Sequence, residues 1–546
     1  MPLRRLLITT TLLLCSAVQA AEDFVYIVQA GDHPWNIAQR FLKDTSFARR
    51  LAEFNRIQND RRVQPGTELR IPAEWLRLTS TRVFVVAARG QALVITGDAS
   101  RPAQAGEDLR PGSQLRTGDK ASALLEFEDG SRVMLRQASE LRLLRADQRL
   151  LDGGKTVTLE LLRGGLENIV TPGLKHENRF EIRSPAAVAA VRGTRFRFNA
   201  SGDTSWTEVL EGAVGVSNPA GATQADAGFG TRAQAGRAPE PPRALLAAPE
   251  LPQLPPRLER LPINWPLPEV HGAAGYRTQI APDDQFATLL SDEVTERPRA
   301  RITDVPDGVY VMRVRAIDAD GLEGLPSEHA IVVYARPQPP LLIEPELGSE
   351  PAAARPVFRW TQPDLAWHYR LEVFRDNDAS TTPLHAQTTG AVGEVVLGVD
   401  LAPGEYRWRM ASIVPATGRQ GPWGDTQTFR RVLPSPVIEP PVVEPGATTV
   451  RWPVSPHARS YDLQLSNDGT FAQPLLEAGS VDPQYRMLGL TPGSYQLRLR
   501  AIAQDGYAGP WGQAQRFVVP EPPKPPDPDH WRALLLILPA LLLFAL

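Results

Sequence analysis

Cysteine is almost absent from this sequence of 546 residues, and so is any arrangement of histidines that could hold a metal ion. The one cysteine, Cys15, lies in the N-terminal segment, so no disulfide can form within the chain and the domains must be stabilised by burial of apolar side chains. The eight histidines are scattered, without a His-x-x-x-His pair and without a neighbouring cysteine. We therefore expect no metal site and no cofactor.

A strong excess of one charge is also missing, and so are the common catalytic motifs. The chain has 59 basic and 62 acidic residues, which argues against binding of nucleic acid through net charge. No glycine-rich phosphate loop precedes a helix, and Gly-x-Ser-x-Gly does not occur. The carboxylate pair Glu126 and Glu128 alternates on the outer face of a predicted strand, where it is solvated rather than paired for glycoside hydrolysis. The sequence predicts a protein that is not an enzyme.

Proline, in contrast, is abundant and is concentrated between predicted modules. The 52 prolines are about twice the usual share. Residues 235–256 form a proline-rich stretch that we interpret as an extended linker, and residues 520–530 form a second, stiff spacer. The length of the chain suits three to five domains separated by such segments.

The N-terminus has the three regions of a secretory signal peptide, over residues 1–20. Arg4 and Arg5 precede an apolar run from Leu6 to Leu14, and small residues end at Ala20. The alternative is a buried N-terminal helix. An exported chain without disulfides fits a bacterial protein of the periplasm or cell envelope.

The C-terminus ends in a hydrophobic tail, residues 531–546. Fourteen residues from Ala533 to Leu546 lack a polar side chain. As a helix they would span about 21 Å, which is short of a bilayer core of about 30 Å. Trp531 is placed like an interfacial anchor. We expect a short hydrophobic helix that contacts a membrane through residues 533–546 and tethers the protein; the alternative is a tail that docks on another subunit or is removed.

Residues 24–76 predict a small β-α-α-β unit. Phe24 to Val28 and Glu68 to Pro72 alternate like strands, and apolar residues from Trp35 and from Phe47 recur at helical spacing. Asp32 or His33 can cap the first helix, which Pro34 opens. The pattern is carried by Tyr26, Val28, Gly31, Asp32, Trp35, Ile37, Ala38, Asn55, Val63, Pro65, Gly66, Leu69, Ile71 and Pro72.

This unit resembles a LysM domain along its whole length, and we call it the LysM-like unit. The resemblance implies binding of peptidoglycan or another N-acetylglucosamine glycan in a shallow groove between two loops. The implied groove residues are Gly31, Asp32, His33, Pro34, Ile57, Gln58 and Asn59. The sequence departs from the family at His33 and Pro34, where a small hydroxyl residue and a leucine are usual. The alternative is a LysM fold that only packs against its neighbour.

Residues 83–234 predict an all-β domain. Asp129 and Gly130 stand between two alternating runs, which is typical of a hairpin. The stretch from Phe180 to Phe198 joins a strand, a small apolar run, an Arg192-Gly193-Thr194 turn and an alternating segment. The residues alone favour two core strands joined by a glycine turn.

The set of motifs in this region resembles the periplasmic FecR-type domain. The matching segments are 112–118, 125–131, 184–196 and 210–214. In the family, such domains receive a contact from an outer-membrane receptor and pass it to a sigma factor. Only a leader and the LysM-like unit precede this region, so we expect a domain that binds or positions protein partners. Arg192 and Thr194 are candidate partner-binding residues, together with Trp423 and Trp511 of the repeats that follow; the alternative for Arg192 is a buried arginine that satisfies strand-end carbonyls.

Three repeats follow, at residues 257–336, 337–433 and 434–519. Tyr310, Tyr406 and Tyr495 recur at intervals of 96 and 89 residues, within short alternating strands. A period near 90 residues indicates tandem β-sandwiches, and the repeats resemble fibronectin type III domains. Trp423 and Trp511 follow in the second and third repeats, where we expect them to cover outward arginines such as Arg409. The alternative for these tryptophans is stacking on glycans.

The sequence thus predicts a multidomain, mainly β protein of the cell envelope. The LysM-like unit binds peptidoglycan, and the FecR-type domain and sandwiches contact envelope proteins. Two alternatives stay open: a periplasmic signalling component that relays an external contact, and an accessory to a cell-wall hydrolase.

Overall fold

The computed structural model describes residues 23–59, 63–172, 178–251, 253–376 and 381–524. The predicted signal peptide, the hydrophobic tail and residues 525–530 of the spacer lie outside these ranges. Within them, no helix has both the length and the apolar character needed to cross a membrane. The chain divides into two compact units, one ending at Val333 and the other beginning at Tyr334.

The LysM-like unit has the predicted β-α-α-β order. Its elements are β1 (Phe24–Ile27), α1 (Pro34–Phe41), α2 (Phe47–Phe54) and β2 (Glu68–Ile71), followed by a 3-10 turn at Ala73–Trp75. β1 and β2 are antiparallel, with Ile27 opposite Glu68. Ile37, Ala38 and Leu51 are fully buried between the helices and the strands. Trp35, predicted on the buried stripe, is instead 53% exposed, because it lies in the first turn of α1 and its ring stacks against His33.

The FecR-type domain is built from strands that form one continuous hydrogen-bonded set of seventeen. They are β3 (Leu78–Ser80), β4 (Val83–Arg89), β5 (Ala92–Thr96), β6 (Ala99–Pro102), β7 (Gln114–Thr117), β8 (Ser122–Phe127), β9 (Arg132–Leu135), β10 (Glu140–Arg149), β11 (Lys155–Ile169), β12 (Arg179–Arg183), β13 (Val188–Val191), β14 (Arg195–Ser201), β15 (Thr204–Glu211), β16 (Ala213–Asn218), β17 (Gly221–Asp226), β18 (Phe229–Gln234) and β19 (Arg243–Ala244).

The long strand β11 joins two layers of this domain. Its first part pairs with β10 and β12, and its second part pairs with β9 and β14. The change of partners falls at Gly164 and Gly165. Gly164 has a φ of +94°, and a Cβ atom there would lie 2.0 Å from the Ser139 hydroxyl, so only glycine fits. Apolar side chains from both layers meet in one core that includes Phe127, Phe180 and Phe198.

The domain extends beyond the predicted range of residues 83–234 in both directions. β3 pairs with β10, and β19, inside the predicted linker 235–256, pairs with β18. Leu245 is buried, and the backbone carbonyl of Leu246 accepts a hydrogen bond from Leu325. The start of the proline-rich stretch is therefore packed against folded structure rather than free.

The first sandwich completes the first unit. Its strands are β20 (Ile263–Pro266), β21 (Ala273–Ala281), β22 (Ser291–Thr295), β23 (Arg299–Ile302), β24 (Gly308–Asp318) and β25 (Ser327–Val333). They form a two-stranded sheet, β20-β23, and a four-stranded sheet in the order β22-β21-β24-β25.

The second and third sandwiches form the second unit. Their strands are β26 (Leu342–Glu344), β27 (Val357–Trp360), β28 (His368–Arg375), β29 (His385–Thr389), β30 (Glu394–Val396), β31 (Gly404–Val414), β32 (Arg419–Gln420), β33 (Gln427–Arg431), β34 (Val442–Glu444), β35 (Ala447–Arg451), β36 (Ala458–Ser466), β37 (Leu476–Ser480), β38 (Gln484–Leu488), β39 (Gly493–Ala503) and β40 (Gln515–Val519). Each sandwich again has a short sheet facing a longer one, the arrangement of fibronectin type III domains. Tyr406, Trp408 and Met410 point into the core as predicted.

Candidate functional site

The first predicted groove loop, residues 31–34, is held in place by polar contacts of Asp32. Asp32 accepts hydrogen bonds from the Tyr26 hydroxyl and from the Gln29 N–H, and it pairs with Arg40 at 3.0 Å. Although burial acts to raise the pKa of Asp32, the bonds from Tyr26 and Gln29 outweigh it and hold the pKa below its ordinary value. The carboxylate therefore stays charged and fixes the loop.

His33 closes the same loop as the N-cap of α1. Its Nδ1 atom accepts the Asn36 N–H at 3.3 Å, and its own N–H donates to Asn36 Oδ1 at 2.8 Å. Asn36 also donates from its side chain to the carbonyl of Gly31 at 3.0 Å. The histidine thus performs the capping role of the small hydroxyl residue that it replaces, and Pro34 sits buried at the first helical position.

The second groove loop lies at the same end of the unit. The antiparallel pairing of β1 and β2 places residues 28–33 beside residues 63–67, where the Val28 N–H donates to Thr67 and the Gly66 N–H donates to Val28. Ile57, Gln58 and Asn59 follow α2 at the start of this second loop. The pairing therefore places the end of the second loop beside the start of the first.

The predicted glycan-binding residues differ in what they can offer a ligand. Asp32 and Pro34 are buried, and His33 and Ile57 are half-buried. The three remaining residues, Gly31, Gln58 and Asn59, are exposed. Exposed Trp35, which the helical pattern had assigned to the core, adds an aromatic face beside the first loop. The signal that could have identified Trp35 is its position in the sequence, directly after the capped loop and in the first turn of α1.

Arg192 and Thr194 in the FecR-type domain have different environments. Arg192 is exposed, so the alternative of a buried arginine at this position is wrong. Thr194 is 2% exposed, and its hydroxyl donates to the Ala213 carbonyl at 3.0 Å. Of these two residues, only Arg192 presents its side chain to the surface.

Eight buried or nearly buried charged side chains join the FecR-type domain to the first sandwich, and we call them the buried charge cluster. They are Arg136, Glu167, Arg197 and Glu208 from the FecR-type domain and Arg277, Arg313, Arg315 and Glu323 from the sandwich.

Glu323 is the centre of this cluster. It lies between β24 and β25, and its two carboxylate oxygens accept from Arg136 at 2.7 Å, Arg277 at 3.0 Å and Arg315 at 2.8 Å. Glu167 takes the same role nearby, with Arg313 at 3.0 Å and Arg315 at 2.8 Å. The five arginines of the cluster outnumber its three glutamates, and Asp292 and Glu328 supply further carboxylates to Arg277 and Arg313. Because charges from both domains pair across the interface, the interface requires both surfaces in register.

Apolar packing and backbone hydrogen bonds extend the same interface. Leu124 and Met134 on the outer face of the FecR-type domain pack against Ala281, Phe286 and Leu289 of the sandwich. The Leu289 N–H donates to the Ser122 hydroxyl at 3.2 Å. Both faces of this part of the β-sheet are consequently buried, which is typical of a fixed interdomain contact.

Arg197 and Glu208 occupy the deepest part of the cluster. Arg197, predicted on the solvent face of an alternating strand, is 1% exposed and donates to the backbone carbonyls of Glu323 and Gly324. Burial raises the pKa of Glu208 to about 7, although Arg197 acts in the opposite direction. Glu323 shifts the other way: burial acts to raise its pKa, but the three surrounding guanidiniums hold it well below the ordinary value.

The three sandwiches use equivalent positions in different ways. Gly324, Gly421 and Gly509 each donate to the long central strand, at Ala316, Ser412 and Ala501. In the second and third sandwiches a tryptophan stands two residues later and covers an arginine of that strand. Arg409 lies 4.3 Å from the Trp423 ring, and Arg498 and Arg500 lie 4.7 and 4.4 Å from the Trp511 ring.

The first sandwich has no tryptophan there, and the FecR-type domain covers its arginines instead. Arg313 and Arg315 pair with Glu167 across the interface. The predicted cation–π stacks are therefore present in the second and third sandwiches. The sandwich without the tryptophan is the one whose equivalent face is covered by another domain. The occupied ring faces of Trp423 and Trp511 leave little room for glycan stacking.

A metal site has no visible framework in the part of the chain that the structure describes. No group of three or more His, Cys, Asp or Glu side chains there could hold a metal ion. The polar groups at the groove and at the interface act as hydrogen-bond and charge partners.

Family models match two parts of the chain: LysM domain at residues 26–72 and FecR protein at residues 113–215. The chain thus contains a LysM domain and a FecR-type domain, which are binding and signalling types rather than catalytic ones. LysM domains bind N-acetylglucosamine glycans such as peptidoglycan, and FecR-type domains indicate envelope signalling. No curated protein matches the chain.

Solved structures with similar segments include a candidate anti-sigma factor from Parabacteroides distasonis, at 14% identity and a TM-score of 0.20. The match covers 24% of this chain and 59% of that one, so the chain spans about three fifths of its length. A two-domain fibronectin type III segment of chicken tenascin shows 18% identity over 34% of this chain and all of its own, with a TM-score of 0.25. The FN1–FN3 domains of chicken CNTN1 show 14% identity over 47% of this chain and 93% of theirs, with a TM-score of 0.17.

Proposed function

We propose that this chain is an exported envelope protein that binds peptidoglycan through its LysM domain and presents the FecR-type domain to a protein partner. The observation that carries the proposal is the rigid groove end of the LysM domain. The first predicted loop carries exposed Gly31, with a φ of +87°, and is followed by exposed Trp35, and the second predicted loop carries exposed Gln58 and Asn59. Backbone amides and an aromatic face are the groups that an acetamido sugar requires.

Export through the signal peptide at residues 1–20 and tethering through residues 533–546 belong to the same proposal. Peptidoglycan lies outside the inner membrane, so a glycan-binding protein must leave the cytoplasm to reach it. The absence of disulfides fits burial-dependent cores such as the one around Phe127 and Phe180.

The buried interface favours a fixed arrangement of the FecR-type domain and the first sandwich over a flexible hinge between them. A contact that buries charges from both sides holds the two domains as one body, which then presents Arg192 from the exposed surface of the FecR-type domain. A relay of an external contact is the second candidate function, and the FecR match favours it. The partner in either case is an envelope protein.

Titration of the chain with an N-acetylglucosamine tetramer tests the glycan role. We expect Trp35→Ala to weaken binding about tenfold, because a sugar ring loses its stacking face. Phe229→Ala, which removes a 42% exposed aromatic side chain from the FecR-type domain, is the matched control and should leave the affinity unchanged. No binding by the unmodified chain would refute the proposal.

A further inference from the structure

A deep cleft separates the LysM domain from the FecR-type domain within the first unit. Its volume is about 670 Å³. Six charged side chains line it: Lys43 and Glu74 from the LysM side, and Arg145, Arg149, Arg179 and Arg192 from the FecR side. We call it the basic cleft, because five of these six described side chains are cationic.

The register of the sheet brings the FecR-side cations to one surface. Thr156 on β11 stands opposite Arg179 on β12. The next residue of β12, Phe180, stands opposite Val191 of β13, and Arg192 comes directly after Val191. Residues opposite each other on neighbouring strands point to the same face, and successive residues along a strand point to opposite faces. Because Phe180 and Val191 point into the core, Arg179 and Arg192 project away from it. The strands therefore build the wall of the cleft.

Two of the cleft cations lack a carboxylate partner. Arg145 pairs with Asp147 at 2.5 Å, Arg149 with Asp152 at 2.7 Å, and Arg179 with Glu181 at 2.6 Å. Within the described residues, Lys43 and Arg192 make no ion pair, and both are exposed. Glu74, which lines the same cleft, offsets one of these two charges, so the described side chains leave the cleft with a net positive charge that attracts an anionic ligand.

We propose that the basic cleft binds the carboxylates of the short peptides attached to peptidoglycan, a proposal that rests on the glycan role of the LysM domain. The groove loop lies at the N-terminal end of α1, and Lys43 follows its C-terminal end. The eight residues of α1 span about 12 Å. An extended peptide of five residues reaches about 17 Å. A glycan in the groove can therefore place peptide carboxylates in the cleft while its sugars stay at Trp35.

Calorimetric titration of the full chain with a peptidoglycan tetrasaccharide, with and without its peptides, tests this proposal. We expect the peptide-bearing ligand to bind about tenfold more tightly than the stripped one, through two surface charge contacts that weaken with salt. The double variant Lys43→Gln with Arg192→Gln should reduce this ratio to about twofold and leave binding of the stripped glycan unchanged.

The control is the double variant Lys120→Gln with Arg237→Gln, which removes the same charge from exposed positions of the FecR-type domain outside the cleft. It should keep the full ratio. Equal ratios for the wild type and the cleft variant, or no preference in the wild type, would overturn the proposal.

A failure of the glycan role gives a different pattern, since the tetrasaccharide without peptides would then not bind. The free peptide alone is titrated in that case. Binding that disappears in the cleft variant would support the cleft without the groove, and no binding would overturn both.

Discussion

Glu323 depends on its neighbours more than any other side chain described above, because it is buried among three guanidiniums from two domains. Replacing it with glutamine leaves Arg136, Arg277 and Arg315 short of a carboxylate in a buried site. We expect Glu323→Gln to lower the free energy of unfolding by about 3–5 kcal/mol, measured by scanning calorimetry of the transition that contains the FecR-type domain.

Glu296→Gln is the control for this prediction, since Glu296 is an exposed carboxylate of the same sandwich. This variant should change the free energy of unfolding by no more than about 0.5 kcal/mol. If both variants unfold like the wild type, the buried charge cluster does not stabilise the interface.

Glu208 makes the stability of the same interface depend on pH. Burial raises its pKa to about 7, so the folded protein binds this proton more tightly than the unfolded chain, where the pKa is near 4.5. Its contribution is fully present below pH 4.5 and is lost as pH rises toward 7. Glu208→Gln imitates the protonated form, so its stability relative to the wild type should be greater at pH 8 than at pH 5, by a difference on the order of 3 kcal/mol.

Calorimetry of both proteins at pH 5 and pH 8 tests whether the stability of the variant relative to the wild type increases with pH. The depressed pKa values of Glu167 and Glu323 give stability that is lost only on acidification below their unfolded values, outside this window. A difference between variant and wild type that does not change with pH would contradict the account of Glu208.

Among the elements, the long central strand of each sandwich carries a covered arginine. In the second sandwich Arg409 lies over Trp423 and pairs with Glu372 at 2.8 Å. We expect Arg409→Ala to destabilise this sandwich by about 1 kcal/mol and to shift the emission of Trp423, isolated by subtraction of a Trp423→Phe spectrum. Arg355→Ala, which breaks an exposed pair with Asp400, should change neither. Unchanged emission in Arg409→Ala would refute the stack.

The order and type of the elements follow from local patterns, and their outer contacts do not. Alternation and an Asp-Gly turn were enough to predict the hairpin in which Leu125 stands opposite Val133. The same alternation placed Arg197 in solvent, because no local pattern shows that a second domain covers that face. Glu323 was missed for the same reason: its partners Arg136 and Arg277 are distant in sequence.

The LysM domain shows the same division between fold and site. Spacing predicted both helices, both strands and the cap at His33, which depend on neighbours in sequence. The burial of Asp32 and the exposure of Trp35 depend on how the loop and first helical turn meet, and spacing does not specify that. The two loops could thus be predicted from sequence, but the exposure of their side chains could not.

At the scale of the molecule, the first unit joins three domains through two kinds of contact. A buried interface of paired charges joins the FecR-type domain to the first sandwich, and a basic cleft opens between the FecR-type domain and the LysM domain. The chain passes directly from the 3-10 turn at Ala73–Trp75 into β3, which belongs to the FecR-type sheet. A ligand bound by the LysM domain is therefore held next to the FecR-type domain.

The central claim is that the LysM domain attaches this protein to peptidoglycan. The most direct measurement is a pull-down of residues 21–530 on purified peptidoglycan beside a version that begins at Leu78, where the FecR-type sheet starts. We expect the longer protein to be retained on the peptidoglycan and the shorter one to stay in the supernatant. Equal retention of both, or retention of neither, would contradict it.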